Sequence, residues 1–317
     1  MSKHIVSVGD LVLDVILPVR LPVQPAQHQE TPLRRVEPGG AGNFMIAARR
    51  MGLSVSAAGA VGADVFGTLI LDALTAEGVD VSCVVREPGS TSTLVIVLTD
   101  QGSGEHTFIG NYGQGPDVAY PPALDGVIAR ADALFVQGYT LSEHRVVAMA
   151  RRAIERARQV GVPVMLDAGP FMAYVAPDLR EWAVTQSAVL LMTEDEVPLV
   201  AEGRSGPEAW RAVLAAGPEL LVIKRGAAGC TLVTAGGTED VPGFTVPVTD
   251  TVGAGDCFDA AFVAGLLHRL PWRQCARLAN AMGAAVVQRV GAGRNAPTCA
   301  DVLALLEKAG ERIDYPC

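Results

Sequence analysis

Apolar runs alternate with amphipathic stretches along much of the chain, and this alternation predicts an α/β protein. The run His4–Val8 is short and apolar and is closed by a glycine, which predicts a buried strand. Strand-like ALFVQG is followed by SEHRVVAMARRAIERARQVG, whose apolar positions recur with helical spacing. Such alternation favours a mainly parallel sheet with helices on both faces. Further strands are predicted at SVSAAGAVG, VPVMLDAGP, AVLLMTEDEV and LLVIKRGAAG, and further helices at residues 44–51 and at DVFGTLILDALTAEGV.

The segment 91–113 has a different character. Its sequence, TSTLVIVLTDQGSGEHTFIGNYG, is rich in β-branched residues, is interrupted at Gly102-Ser103-Gly104, and resumes at Thr107. This pattern predicts a β-hairpin. With the Pro- and Gln-rich stretch 15–36, the region 91–118 is expected to form a small sheet beside the main body. Because the sequence contains no internal repeat or flexible linker, we predict one domain over residues 1–317.

Composition narrows the classes of partner. The 317 residues are 50% hydrophobic, which is ample for a large core, and the formal net charge is −9. An acidic chain of this kind is not expected to have nucleic acid or an anionic membrane as its main partner. A local site for a small anionic ligand stays compatible with this charge.

The six cysteines are widely spaced, with no CxxC pair and no histidines at zinc-site spacing. We therefore expect free thiols in a reducing compartment. The apolar run near the N-terminus is too short for a signal peptide, and no run approaches membrane-spanning length. The expected location is cytoplasmic.

The main candidate catalytic residues lie in DTVGAGDCFDAAFVAGLL, residues 250–267. Gly253-Ala254-Gly255 precede a helical pattern, so backbone N–H groups and the helix N-terminus could cradle an anion. Asp256, inside that cradle, then suits the removal of a proton from a hydroxyl that attacks a bound phosphate. A purely structural helix start with an acidic first turn is equally compatible with these residues alone. Binding of NAD is disfavoured because a third glycine at dinucleotide-site spacing is absent.

The same stretch closely resembles the C-terminal signature of the ribokinase-like (PfkB-type) carbohydrate kinases. Other segments are also similar to that family: SVGDLVLDVI to its first strand, PGGAGNFMIAARRMG to its glycine-rich N-terminal signature, and LVIKRGAAGCTLV to the strand and turn near the nucleotide phosphates. The resemblance extends over most of the chain. It implies a three-layer α/β/α sandwich with a mainly parallel central sheet and a small β-sheet lid.

The resemblance also implies an activity and a set of site residues. The activity is ATP-dependent phosphorylation of a hydroxymethyl group, with Asp256 as general base and the amides of Ala254 and Gly255 in the anion hole. Magnesium would be bound through water by Glu196, and a potassium ion near Asp250. The residues implied for the sugar are Asp10, Asp14, Gly39, Gly40 and Asn43, and those implied for ATP are Thr193, Lys224, Gly226, Gly229, Thr251, Gly253, Gly255 and Asn280. A homodimer through the lid is a further expectation, because exposed sheet edges favour pairing.

Two departures from the family pattern stand out. Thr193-Glu194-Asp195-Glu196 replaces the usual Asn-x-x-Glu, and Gly104-Glu105-His106 replaces the lid's Gly-Glu-Arg. The first puts the contribution of Thr193 to phosphate or metal binding in question. The second is expected to alter contacts with the acceptor.

The acceptor is left open by the sequence. Ribose, fructose and 2-keto-3-deoxygluconate all fit a kinase of this type. A nucleoside kinase is the first alternative, for which Phe108, Tyr112 and Tyr139 could supply an aromatic lining, and a non-catalytic sugar- or nucleotide-binding regulator is the second. Arg34 and Arg35 are compatible either with binding an anionic substituent of the sugar or with a solvated basic pair.

Overall fold

The computed structural model describes residues 2–9, 11–32, 35–100, 102 and 106–317. Two sheets and a set of helices make up this part of the chain. The strands are β1 His4–Val8, β2 Leu11–Val19, β3 Arg35–Gly40, β4 Ser54–Gly62, β5 Asp80–Glu87, β6 Thr93–Asp100, β7 His106–Asn111, β8 Ala133–Gln137, β9 Val164–Asp167, β10 Val189–Thr193, β11 Leu220–Lys224, β12 Cys230–Thr234 and β13 Gly237–Val241. The α-helices are α1 Ala41–Arg50, α2 Val65–Ala76, α3 Leu124–Ile128, α4 Gly138–Ser142, α5 Val147–Gln159, α6 Pro177–Gln186, α7 Val197–Val200, α8 Gly206–Ala216, α9 Ala254–Leu267, α10 Trp272–Val286 and α11 Cys299–Lys308.

The larger sheet has nine strands within the described residues, in the order β13-β12-β11-β10-β9-β8-β1-β4-β5. All neighbours from β5 to β11 pair in parallel, whereas β12 and β13 join as an antiparallel edge. The predicted mainly parallel sheet is therefore confirmed. In such a sheet ligands bind beyond the carboxyl ends of the strands, so that edge positions the site.

Each face of the larger sheet is covered by a separate core. Successive strand residues point to opposite faces, and Ile5 and Leu191 accordingly pack in one core while Val6 and Leu190 pack in the other. The first core includes buried residues of α1, α9, α10 and α11, and the second includes those of α3, α5, α6 and α8. The protein is thus a three-layer α/β/α sandwich, as predicted.

The smaller sheet has the order β3-β2-β6-β7. Strands β6 and β7 pair antiparallel, which confirms the predicted hairpin; of its turn glycines, Gly102 is described, whereas Gly104, like the adjacent Glu105, lies outside the described residues. The sheet starts at Leu11 and includes β3 up to Gly40, so it extends past the expected 15–36 at both ends. At its β7 edge Phe108 and Ile109 are more than half exposed. Dimerisation through this sheet stays a prediction.

Three sequence-based expectations need correction. Helix α1 begins at Ala41, three residues before the predicted start, and α5 begins at Val147 because the preceding Ser142 belongs to the separate short helix α4. Cys299 and Cys317 form a disulfide, so the expectation of six free thiols is wrong. The other four cysteines are free and buried. The expected cytoplasmic location therefore loses the support that it took from free thiols.

Helix length and hydropathy also bear on the membrane question. Across the described ranges, no helix is both long and apolar enough to cross a bilayer.

Candidate active site

Helix α9 begins directly after the glycine-rich stretch, so its first turn contains Asp256. Gly253 precedes the helix with φ of 72°, a left-handed conformation that favours glycine. A Cβ atom at this position would lie 2.3 Å from the Cβ of Ala292 and 3.1 Å from Nδ2 of Asn43. Conformation and close packing therefore both require glycine at 253.

The open N–H groups of α9 lie in the same turn. The N–H of Cys257 donates to the carbonyl of Gly253, and the earlier N–H groups of a helix have no partner within it. The N–H of Ala254 donates to the carbonyl of Thr251 at 3.2 Å, closing the turn. Of the two amides predicted for the anion hole, Ala254's is therefore engaged in the turn, and Gly255's is the one left for a ligand.

Both carboxylate oxygens of Asp256 accept hydrogen bonds from side-chain amides. Asn43 donates from Nδ2 to Oδ2 at 3.0 Å, and Gln137 donates from Nε2 to Oδ1 at 2.8 Å. Asn43 is held in turn by the N–H of Gly293, which donates to its Oδ1 at 2.8 Å. The site thus joins α1, the carboxyl end of β8 and the N-terminus of α9.

The environment of Asp256 makes its carboxyl group an unusually weak acid. Burial raises its pKa to about 7, and the negative charge of Asp167 acts in the same direction. The hydrogen bonds from Asn43 and Gln137 and the charge of Lys224 oppose this rise in the pKa. A base with a pKa near neutrality combines a useful ionised fraction with enough proton affinity for catalysis.

A buried charge cluster lies next to Asp256. Lys224, at the end of β11, contacts Asp167 at 2.8 Å and Asp259 at 3.0 Å. Burial alone would lower the pKa of Lys224, but Asp167, Asp259 and Glu196 together raise it. Lys224 was expected to contact ATP phosphates; here its ammonium group neutralises two aspartates. It still lies close to the cradle, since a Cβ atom at Gly255 would be 3.6 Å from its Nζ.

Thr193 and Glu196 cap each other at the end of β10. The side chain of Thr193 accepts from the backbone N–H of Glu196, and the N–H of Thr193 donates to Oε2 of Glu196 at 2.8 Å. Burial raises the pKa of Glu196, and Asp167 raises it further. The hydroxyl of Thr193 is thus used to build the turn that orients Glu196.

Asp14 of β2 and Gly39 of β3 are diagonal neighbours, since Gly39 pairs with Val12 and Asp14 pairs with Glu37. A Cβ atom at Gly39 would lie 2.1 Å from Oδ2 of Asp14, so glycine leaves the space that this carboxylate occupies. Gly40 ends β3 with φ of 50° and precedes the first residue of α1. Asp10, also predicted for the sugar site, lies outside the described residues.

Asp250 connects two loops through hydrogen bonds. Its Oδ1 accepts from the N–H of Val252 at 3.0 Å and its Oδ2 from the N–H of Gly291 at 2.8 Å. Both oxygens of this predicted cation ligand are therefore engaged with backbone. Thr251, the neighbouring residue predicted for ATP, has an exposed position and gives its carbonyl to Ala254.

Asn280, which the resemblance implied for ATP, is buried in α10. Its Nδ2 donates to the carbonyls of Val241 and Pro242, both at 3.1 Å. It therefore fixes the chain after β13. Gly229, with φ of 94°, is required there too, since its Cβ would lie 2.2 Å from the carbonyl oxygen of Val241; Gly226, with φ of 54°, has open space around it.

Three residues of the site were not predicted from the sequence: Gln137, Asp167 and Asp259. A usable signal existed for the first two, because each is the polar last residue of a buried parallel strand. Asp259 lies one helical turn after Asp256 in an otherwise apolar helix, and it is fully buried. A charge in such a position predicts a buried partner, but the sequence does not identify Lys224 as that partner.

The chain matches a known family. The family model for the pfkB family of carbohydrate kinases matches residues 2–299, and the chain therefore belongs to that family. It is similar to a fructokinase from Vibrio alginolyticus, with 26% identity covering 93% of this chain and 96% of the relative. It is also similar to an ATP-dependent ribose-1-phosphate kinase from Halopiger xanaduensis, with 32% identity covering 98% and 99% of the two chains.

Solved structures agree on the fold. Ribokinase from Arabidopsis thaliana, complexed with ribose and ATP, superposes with a TM-score of 0.83 at 21% identity, covering 96% of this chain and 99% of that one. At this level of identity the likeness establishes the ribokinase-like fold.

Proposed function

We propose that this carbohydrate kinase transfers the γ-phosphoryl group of ATP to a hydroxymethyl group of a sugar moiety, with Asp256 as the general base. The observation that carries the proposal is the position of Asp256 in the first turn of α9, where it is partly buried and has a pKa of about 7. A carboxylate in that place can accept the proton of an attacking hydroxyl while the helix N-terminus stabilises phosphate charge.

The chain's own residues have distinct tasks in this reaction. Asn43 and Gln137 hold the carboxylate of Asp256 in one orientation by bonding to both of its oxygens. Asp14, on the smaller sheet, would accept hydrogen bonds from acceptor hydroxyls. The N–H of Gly255 and the positive end of α9 face the charge that develops on the transferred phosphoryl group.

Glu196 suits a magnesium ion bound together with the phosphates of ATP. Mg²⁺ keeps several waters and takes one or two carboxylates in addition to substrate phosphates. Burial and Asp167 raise the pKa of Glu196, so a nearby cation would stabilise its ionised form. When bound, the ion would disperse phosphate charge. The two loops that Asp250 connects by hydrogen bonds are the proposed place for a potassium ion. Comparing activity in potassium with activity in sodium tests this.

The test is ATP consumption with a panel of acceptors, comparing the wild type with Asp256→Asn. We expect the substitution to lower kcat by at least about 1,000-fold, because it removes the base while keeping the shape of the side chain. Asp72→Asn, at an exposed position on α2, is the matched control and should leave kcat unchanged.

Calorimetric titration of ATP and of the acceptor should show that Asp256→Asn still binds both. Equal turnover by Asp256→Asn and the wild type would refute the assignment of the base. If the wild type bound ATP and a sugar but turned over no acceptor, the alternative of a non-catalytic regulator would replace the kinase.

A further inference from the structure

Four aromatic rings form a continuous cluster beside the candidate active site. Phe171 lies at its centre, with ring centroids 4.7 Å from Tyr139, 5.5 Å from Tyr112 and 5.4 Å from Tyr174. Tyr112 follows strand β7 of the smaller sheet, whereas the other three rings belong to the main body. The cluster, defined by these four residues, therefore bridges the two parts of the molecule.

The cluster adjoins the residues that hold Asp256. Tyr139 comes two residues after Gln137, whose amide donates to Asp256, and it packs 3.1 Å from the position of a Cβ at Gly169, just after Asp167. Burial raises the pKa of Tyr139, and the charge of Asp256 is the next largest cause. Aromatic surface and proposed base thus line neighbouring parts of one site.

Much of this aromatic surface is open to solvent. Tyr174 is 76% exposed and Tyr112 is 41% exposed, while Phe171 is partly exposed. Exposed aromatic surface at the edge of a site is a platform on which a planar ring can stack and exclude water. A free pentose or hexose has no such ring.

Three of the described cations near the site have carboxylate partners. Arg35 and Arg294 both pair with the buried Glu37, at 3.3 and 2.8 Å. Lys224 is likewise engaged by two aspartates. Lys224 is therefore not free to bind an anionic acceptor, whereas the two arginines share one carboxylate and keep one net positive charge between them; Arg34 lies outside the described residues.

We propose that the acceptor is a nucleoside, whose heteroaromatic base stacks on the cluster of Tyr112, Tyr139, Phe171 and Tyr174 while its ribosyl hydroxymethyl group reaches Asp256. This inference rests on the proposed kinase function and adds the class of acceptor to it. The γ-phosphoryl group of ATP passes to the 5′-oxygen, the proton of that hydroxyl goes to Asp256, and ADP leaves.

The experiment measures kcat/KM for inosine, uridine, ribose, fructose, 2-keto-3-deoxygluconate and ribose 1-phosphate. We expect the nucleosides to exceed free ribose by at least about tenfold, a gain typical of stacking one base on aromatic side chains. Phe171→Ala should lower kcat/KM for nucleosides about tenfold, mainly through KM, and lower that for ribose by much less. Phe171→Tyr, which keeps the ring, should behave as the wild type does.

Trp272→Ala is the matched aromatic control and should change none of these values. Trp272 is 43% exposed and begins α10, beyond the far end of α9, which lies about 17 Å along that helix from Asp256. If Phe171→Ala does not fold, Tyr174→Ala replaces it, because Tyr174 is mostly exposed.

The outcomes separate this inference from the kinase proposal. Turnover of sugars or ribose 1-phosphate in preference to nucleosides, or an equal loss for all acceptors in Phe171→Ala, would overturn the nucleoside assignment and leave the kinase standing. If no acceptor consumed ATP, the kinase proposal would fail. Calorimetric titration with inosine would then test the aromatic cluster. Inosine binding by the wild type that is lost in Phe171→Ala would support the stacking site, and no inosine binding by the wild type would refute it.

Discussion

Asp256 shows how neighbouring residues set the proton affinity of a single carboxyl group. Burial and Asp167 destabilise its ionised form, and two amide donors together with Lys224 stabilise it. The balance leaves the pKa of Asp256 at about 7, well above the ordinary value of an aspartate. Its reactivity therefore depends on side chains from four separate elements: α1, β8, β9 and β11.

This balance predicts a pH dependence. Because the base must be ionised to accept a proton, kcat/KM for the acceptor should fall with decreasing pH below a midpoint of about 7. Gln137→Met removes the donor to Oδ1, which favours the ionised form, so the pKa of Asp256 should rise and the midpoint should move to higher pH by about one unit. The measurement is the pH profile of kcat/KM under saturating ATP.

Gln159→Met provides the matched control, since Gln159 is exposed at the end of α5. Its profile should overlay that of the wild type. An unshifted midpoint in Gln137→Met would mean that the profile reports another group.

At the scale of elements, the N-terminus of α9 depends on one backbone conformation. Gly253 sets the turn, and its lack of a side chain allows the loop at Ala292 and the amide of Asn43 to approach. Helix α9 in turn packs between α1 and α10 in the first core. The cradle is therefore held by buried helix packing as well as by its own turn.

We expect Gly253→Ala to lower kcat/KM by about 100-fold, because small displacements of reacting groups have effects of this size. Gly283→Ala is the control: it lies within α10 with no atom within 4 Å of its added Cβ. It should keep full activity and stabilise the protein by about 1 kcal/mol. Both variants are compared by coupled ATP assays and by thermal unfolding. Unchanged activity in Gly253→Ala would contradict the role assigned to this glycine.

The sequence predicted the secondary-structure elements better than it predicted the residues of the site. The parallel strands and the β6–β7 hairpin follow from local periodicity, which is why their predictions succeeded. The start of α1 was misplaced because Ala41 and Gly42 carry no apolar signal, although both are buried. Gln137 and Asp167 were missed because their importance arises only when β8 and β9 end beside α9. The pairing of Lys224 with Asp259 likewise depends on tertiary packing.

At the scale of the whole molecule, the disulfide fastens the C-terminal residues to the body. It joins Cys317 to Cys299 at the start of α11, across a sequence separation of 18. The hydroxyl of Tyr315 also donates to the carbonyl of Met51 at 2.6 Å, next to the end of α1. The tail thereby closes over the helix that provides Asn43.

Reduction should therefore destabilise the protein. For a loop of this length, loss of the cross-link is expected to lower the free energy of unfolding by about 3 kcal/mol. Urea unfolding with and without dithiothreitol measures the difference. A Cys299→Ser/Cys317→Ser double variant should be insensitive to the reductant, since the four remaining cysteines are free and buried. Equal wild-type curves under both conditions would count against a cross-link in solution.

The close contact between Asp14 and Gly39 also limits the order in which the acceptor wall can change during evolution. A side chain at 39 would collide with the carboxylate at 14, so a first substitution at Gly39 would displace that carboxylate. Replacing Asp14 by a smaller residue first would empty that space and make larger residues at 39 acceptable. The two positions are therefore expected to be epistatic, and a change of acceptor that involves both is expected to begin at Asp14.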